Sequence, residues 1–391
     1  MNFDELKKHI FIVIGEEHYT PLGVIRSLGE NGIKPIFIVL KQNMKIASLS
    51  KYIDELYEVD SYLEAIALLK DKFNTKEDEK PFVIPCDDRI ASLIDQEYNE
   101  LRGLFIFPNG GCPGQITNYM NKWTLCELAI KHGLNVAKSW TVNRGEIPED
   151  IVYPIITKPI ESYPDWKSDY YICKDNTQLN EAFSKIKKDK IILQQYISKV
   201  NELCIDGVVI NHGKELFVSI ASTYTYILPN YYSMEMIVKN FDDENLYTVF
   251  QKMFTEIGFE GIFSAEFMID NDGKLWFLEI NFRDSTWSWA STKLGMNLPI
   301  LWANGMITGT FPEDKEKEIP SEYIALAEVQ DFIYRVKINH MISIPKWITR
   351  VFRANCLFYY DKKDIRPCFG YWFQLIKHFI TKNKKNNLCI G

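Results

Sequence analysis

The run GFEGIFSAEFMIDNDGKLWFLEINFRD, residues 258–284, decides how this sequence is read. Two β-rich stretches flank Asp270-Asn271-Asp272-Gly273, a turn-forming tetrapeptide, so the segment predicts a β-hairpin. Side chains alternate across a strand. Glu279, Asn281 and Arg283 therefore project from one face, and Leu278 and Ile280 from the other. If the turn closes tightly over 270–273, Glu266 lies opposite Phe277 and diagonal to Glu279, on that same face.

The two carboxylates that share this face with the Asn281 carboxamide resist joint ionisation unless a cation sits between them. Mg²⁺ suits such a set, because it takes one or two carboxylates and completes its shell with water and substrate phosphates. The hairpin alone leaves a second reading open, a solvated face on which Glu266 and Glu279 pair with Arg283. Trp276, Phe277, Phe282 and Trp287 close by favour a cleft over a fully solvated face.

Working outward, FIVIGEEHYTPLGVIRSLGENGIKPIFIVL (11–40) reads as strand, loop, helix and strand, and FVIP (82–85) leads into the helix DDRIASLIDQEYNEL. Continuous apolar strands alternating with helices predict a small open parallel α/β domain over about the first 115 residues. Its first loop lacks the dinucleotide fingerprint, since Glu17 stands where the second glycine belongs. Asp87 or Asp88 follows a parallel strand, where such sheets bind ligands and where an amine substrate could be held; a helix N-cap is the preferred reading. PNGGCPGQ (108–115) marks a boundary before the helix TNYMNKWTLCELAIKHGL, with Gly133 as its C-cap. The β-rich YPIITKPI, a helix over 176–188 and the strand IILQQYI (191–197) come next.

With 391 residues, 46% of them hydrophobic and 25% charged, the chain has the composition of a soluble protein of two to three domains. The polar start MNFDELKKHI and the want of a long apolar run predict a cytoplasmic location. Its eight cysteines form no CxxC pair, which points away from disulfides and structural zinc. Net charge is −7, unevenly spread: from Asp331 to Gly391 twelve Lys or Arg face three Asp, a net of +9, leaving −16 on the first 330 residues. Nucleic acid is not expected as a partner.

Taken in order, Lys122 in NKWTL, Lys158 in PIITKPI, QQYISKVNE ending in Glu202, Glu266 and EINFR (279–283) resemble the ATP-grasp superfamily of carboxylate-amine ligases over roughly residues 10–310. FVIPCDDRIASLIDQ, FIFPNG and the 118–140 segment resemble in particular the D-aspartate-ligase-like and carbamoyl-phosphate-synthase-large-subunit-like members. The resemblance implies an α/β (α+β lobes) fold, with a Rossmann-like pre-ATP-grasp domain (1–115), a small lobe or lid (116–195), a large lobe with the metal site (196–315) and a basic aromatic extension (316–391). It implies ATP, with Mg²⁺ or Mn²⁺ held by Glu266, Glu279 and Asn281. Lys122 and Lys158 would contact the phosphates, Gln195, Tyr196 and Ile197 the adenine, and Glu202 the ribose. Arg283, with Lys158, would act on the transferring phosphoryl group.

Three departures from the family pattern stand out. Gln195 replaces a frequent Glu, Phe282 replaces a usual Pro, and the lid loop ESYPDWKSDYYI has no glycine, leaving Ser162, Lys167 and Ser168 as candidate phosphate donors. The reaction implied is ADP-forming C–N bond synthesis between a small-molecule carboxylate and an amine through an acyl-phosphate, in cell-wall, capsule or peptide-like metabolite synthesis. A catalytically degenerate ATP-binding or tethering protein and a phosphotransferase are the alternatives, and a homodimer is compatible with each. Beyond Pro320 the resemblance fades. The tail mixes Trp347, Phe352, Phe358, Tyr359, Trp372 and Phe373 with Lys and Arg, which fits either peripheral contact with the inner face of a membrane or, as preferred, aromatics packed on the body.

Overall fold

Four short apolar strands, β1 (Phe11–Gly15), β2 (Ile36–Leu40), β3 (Leu56–Val59) and β4 (Phe82–Pro85), pair in parallel in the order β3-β2-β1-β4 in the computed structural model, which describes residues 3–73, 79–159, 170–228 and 232–387. The near-continuous burial of β1, β2 and β4 follows from helices packed on the sheet, Tyr19–Gly29, Tyr62–Lys72 and Asp88–Gln96, whereas edge strand β3 buries only Val59. The strand order reverses beside β1, so the loops after β1 and β4 splay apart and open a crevice at their carboxyl ends.

A second sheet, β5 (Ser139–Asn143), β6 (Ile155–Pro159), β7 (Ile172–Cys173) and β8 (Lys190–Gln195), is antiparallel in the order β5-β8-β6-β7. Helix Asn176–Lys185 packs Leu179 and Phe183 into a separate small core with Ile155, Ile191 and Leu193.

The third sheet has seven strands: β9 (Lys199–Ile210), β10 (Glu215–Tyr224), β11 (Glu235–Lys239), β12 (Gly261–Asp270), β13 (Leu275–Asn281), β14 (Tyr323–Leu326) and β15 (Cys356–Leu357), in the order β13-β12-β9-β10-β11-β14-β15. Alternation splits its residues. Ile205, Phe263, Ala265, Phe267 and Ile280 face helices Lys122–Lys131 and Glu244–Ile257, while the opposite face carries Glu202, Cys204, Asp206, Ser264 and Glu266. Phe250, Phe254 and Phe263 pack at centroid separations of 4.5–6.1 Å in that back core.

One further core joins the parallel sheet to the seven-stranded one, with Leu22, Ile25, Trp289, Trp302, Phe358 and Tyr359 among its members. Gly23 makes that approach close, because a Cβ there would stand 3.2 Å from Trp289 Cβ. One expectation is corrected here. The helix read over 117–134 is two helices, Gln115–Met120 and Lys122–Lys131, because Asn121 leaves helical geometry and accepts from the Trp123 and Thr124 amides as N-cap; Gly133 sits in the left-handed conformation just past the second. The chain beyond Pro320 also contributes two strands to the central sheet, with Phe358 and Tyr359 buried in the inter-sheet core.

Candidate functional site

The hairpin forms where the sequence places it, but its register differs. Asp270 Oδ1 accepts from the Asp272 and Lys274 amides, Gly273 takes a positive φ of 76°, and Ile269 pairs with Leu275. That closure is one residue wider than the tight turn, and by itself would set Glu266 across from Leu278, on the wrong face. A bulge between Glu266 and Phe267 restores the parity. Glu266 consequently lies directly opposite Glu279, not opposite Phe277.

Glu266 also faces Cys204 on its other side, and Asp206, Ser264 and Asn281 form the neighbouring row. The Asn281 amide ties the site together: its Nδ2 donates to Glu266 Oε1 at 3.1 Å, and its Oδ1 accepts from Arg283 Nη2 at 3.2 Å. Burial, then the charges of Glu279 and Glu202, push the Glu266 carboxyl up to about 8. Asp206 and Asp284 lie deeper; burial raises them to about 6 and about 7, although each accepts from a serine, Ser285 and Ser288 respectively. The floor of the site is therefore crowded with carboxyl groups whose charged form burial disfavours.

Cations approach from three other elements. Lys122 is the first residue of its helix, beside edge strand β13, and its ammonium stands 3.2 Å from Glu279 while the side chain remains 79% exposed. Lys158, on β6 of the small sheet, donates to Gln194 Oε1 at 2.6 Å; burial, and secondly Lys122, holds its pKa below the usual lysine range. Arg283, past the end of β13, reaches the crevice of the parallel sheet and grips Asp88 with two bonds, Nε to Oδ1 at 2.7 Å and Nη2 to Oδ2 at 3.2 Å. His18 lines the same crevice, where burial, then Arg283, lowers it to about 4. Glu202 is buried at the start of β9 and pairs with Lys199.

Gln195, Tyr196 and Ile197 form the connection between the small and seven-stranded sheets. The Gln195 amide donates to the Lys138 carbonyl and the Tyr196 amide to that of Pro154, so this strip is pinned to the small sheet. Asp87 is the N-cap, accepting from the Arg89 amide, which leaves Asp88 for Arg283. Ser162, Lys167 and Ser168 lie outside the described residues. Sequence reasoning passed over Asp206 and Asp284; the available signal was a lone acid inside the apolar run LCIDGVVI, where burial is forced.

The donor set is all oxygen, two carboxylates and a carboxamide, with one carboxyl raised by burial and then by its neighbours' charge. That composition fits a hard divalent cation. Among the described residues no three His, Cys, Asp or Glu side chains converge as a ready cage.

No family model matches the sequence, and no curated protein matches it. Solved structures do match. N5-carboxyaminoimidazole synthetase from Staphylococcus aureus has a TM-score of 0.63 at 17% identity, over 87% of this chain and 88% of that one. Biotin carboxylase from Campylobacter jejuni, solved as a β,γ-ATP complex, has 0.60 at 14%, over 78% and 72%. An L-amino acid ligase from Bacillus licheniformis has 0.56 at 15%, over 77% and 74%. At such identities the likeness is one of fold.

Proposed function

We propose that this chain, which shares the ATP-grasp fold of its structural neighbours, is an ATP-dependent carboxylate-amine ligase working through an acyl-phosphate. The observation that carries this reading is Glu266 set directly across from Glu279, bridged by Asn281 to Arg283, with Lys122 on Glu279 and Lys158 near Lys122. The names of three neighbours, an L-amino acid ligase, a carboxyaminoimidazole synthetase and a biotin carboxylase, support it.

Glu266, Glu279 and Asn281 would hold Mg²⁺ or Mn²⁺, whose positive charge offsets that of the phosphates when bound. Lys122 and Lys158 would take ATP phosphate oxygens, Lys122 leaving Glu279 to do so. The strip Gln195, Tyr196 and Ile197 would border the adenine, and Glu202 would accept from the ribose hydroxyls. A carboxylate oxygen of the substrate attacks the γ-phosphorus, the β–γ bridging bond breaks and ADP leaves. Arg283 and Lys158 stabilise charge on the transferring group. An amine nitrogen then attacks the acyl carbon, the C–O bond to phosphate breaks, and the nitrogen gives up its proton.

In this reading residues 1–115 supply the substrate crevice, 116–195 the lid, 196–315 the nucleotide floor and 316–391 an added surface. The enzyme would work in the cytoplasm at the inner face of a membrane, as a monomer or homodimer, in cell-wall, capsule or peptide-like metabolite synthesis. The test is an ADP-release screen over paired amino acids and carboxylated cell-wall or capsule precursors. Release is expected only when a carboxylate and an amine are both present. ATP binding with no turnover over the whole panel would point to a degenerate binding protein, and a stable phosphorylated product to a phosphotransferase; either outcome rejects the ligase.

A further inference from the structure

The last sixty residues leave two apolar stripes on the surface. In helix Ile344–Arg353, Trp347 and Val351 turn toward the body, and Arg350 Nε donates to the buried Glu235 Oε2 at 3.0 Å. Beside that inward edge, Ile344, Ile348 and Phe352 follow one another at successive turns and are exposed, Phe352 by 85%. Helix Arg366–Asn387 repeats the pattern. Cys368, Tyr371 and Leu375 pack inward, and Gln374 exchanges hydrogen bonds with the Lys45 backbone, while Phe369, Phe373 and Ile376 stand 61%, 68% and 55% exposed. Phe332 lies against both helices, its ring 4.9 Å from Trp347 and 5.7 Å from Trp372.

The exposed charge that residues 331–377 themselves contribute has one sign. The three acids from residue 331 onward, Asp331, Asp361 and Asp364, are all buried, whereas Lys337, Lys346, Arg353, Lys362, Arg366 and Lys377 are exposed. Water-facing phenylalanines ringed by cations have no counterpart in the needs of a core, and apolar patches of this kind mark interaction sites. The chemistry that answers both features at once is a bilayer interface, whose acyl boundary takes the rings while its anionic headgroups take the lysines and arginines. Among the described residues no helix is long and apolar enough to cross a membrane, so the contact would be peripheral.

We propose that helices Ile344–Arg353 and Arg366–Asn387 form a docking face for an anionic phospholipid surface, with Phe352, Phe369 and Phe373 inserted. This refines the location given to the ligase and does not depend on its chemistry. The test is sedimentation of the full chain with vesicles of phosphatidylglycerol and phosphatidylcholine, against pure phosphatidylcholine and against protein alone, without ATP or substrates. Binding is expected with the anionic vesicles only, weakened by salt. The double variant Phe352→Glu/Phe373→Glu should bind roughly a hundredfold more weakly, with an unchanged melting temperature because both side chains face water. Failure to bind anionic vesicles, or equal binding by the double variant, overturns the proposal. A dimer in gel filtration that the double variant dissolves, with no vesicle binding, overturns it in favour of a second copy as the occupant.

Discussion

Glu279→Gln is expected to fall in ADP release by about three orders of magnitude or more, while its thermal unfolding stays no lower than that of the parent. The substitution keeps size and shape at a partly exposed position on edge strand β13 and removes only charge. What the fold loses is small, because the exposed Lys122 ion pair contributes little to stability. What it gains is relief for Glu266, whose carboxyl Glu279 helps to push up. Activity and stability thus move in different directions, which separates loss of chemistry from loss of structure. A folded Glu279→Gln protein with full turnover would remove Glu279 from the site.

Arg26→Met should lower the free energy of unfolding by about 3–5 kcal/mol. Arg26 is fully buried in the helix after β1, and it bonds Asp364 Oδ2 through Nε at 3.1 Å. Its remaining nitrogens donate to the carbonyls of Phe358 (2.8 Å), Tyr359 (2.9 Å) and Asp364 (2.8 Å). The methionine fills similar space but leaves a buried carboxylate without its cation and three carbonyls short of a donor. Asp364 keeps the Ser50 hydroxyl at 2.7 Å and the Lys51 amide at 3.0 Å, neither of them charged. Because the segment carrying Phe358 and Tyr359 fills the core between the parallel and seven-stranded sheets, its release would loosen that junction. Denaturant melts of parent and variant measure the difference, and a loss under about 1 kcal/mol would show that the pair is not what fastens the segment.

Much of this architecture is legible in local sequence. Alternation in GIFSAEFMID and LWFLEIN, the turn at Asp270–Gly273 and the apolar runs at 11–15, 36–40 and 82–85 each act over a few residues, so they can be read without the fold. Three features escape for identifiable reasons. The bulge beside Glu266 is a backbone irregularity with no residue signature here, yet it sets which carboxylates face each other. The Arg283–Asp88 pair joins residues 195 positions apart, a contact that only the packing of the two sheets creates. Strands β14 and β15 are four and two residues long, too short for any period to show, and they pair through a sheet assembled from elsewhere. The tail's aromatics divide accordingly: Phe358 and Tyr359 enter the core, whereas Phe352 and Phe373, on helices held by only one side, do not.

In an acyl-phosphate ligase a carboxylate oxygen displaces ADP from the γ-phosphorus and leaves with the phosphate when the amine attacks. Turnover of the active carboxylate labelled with ¹⁸O in both oxygens reads this directly in the mass of the inorganic phosphate released. One labelled oxygen per phosphate is the expected result; phosphate carrying none would contradict the acyl-phosphate route and, with it, the ligase.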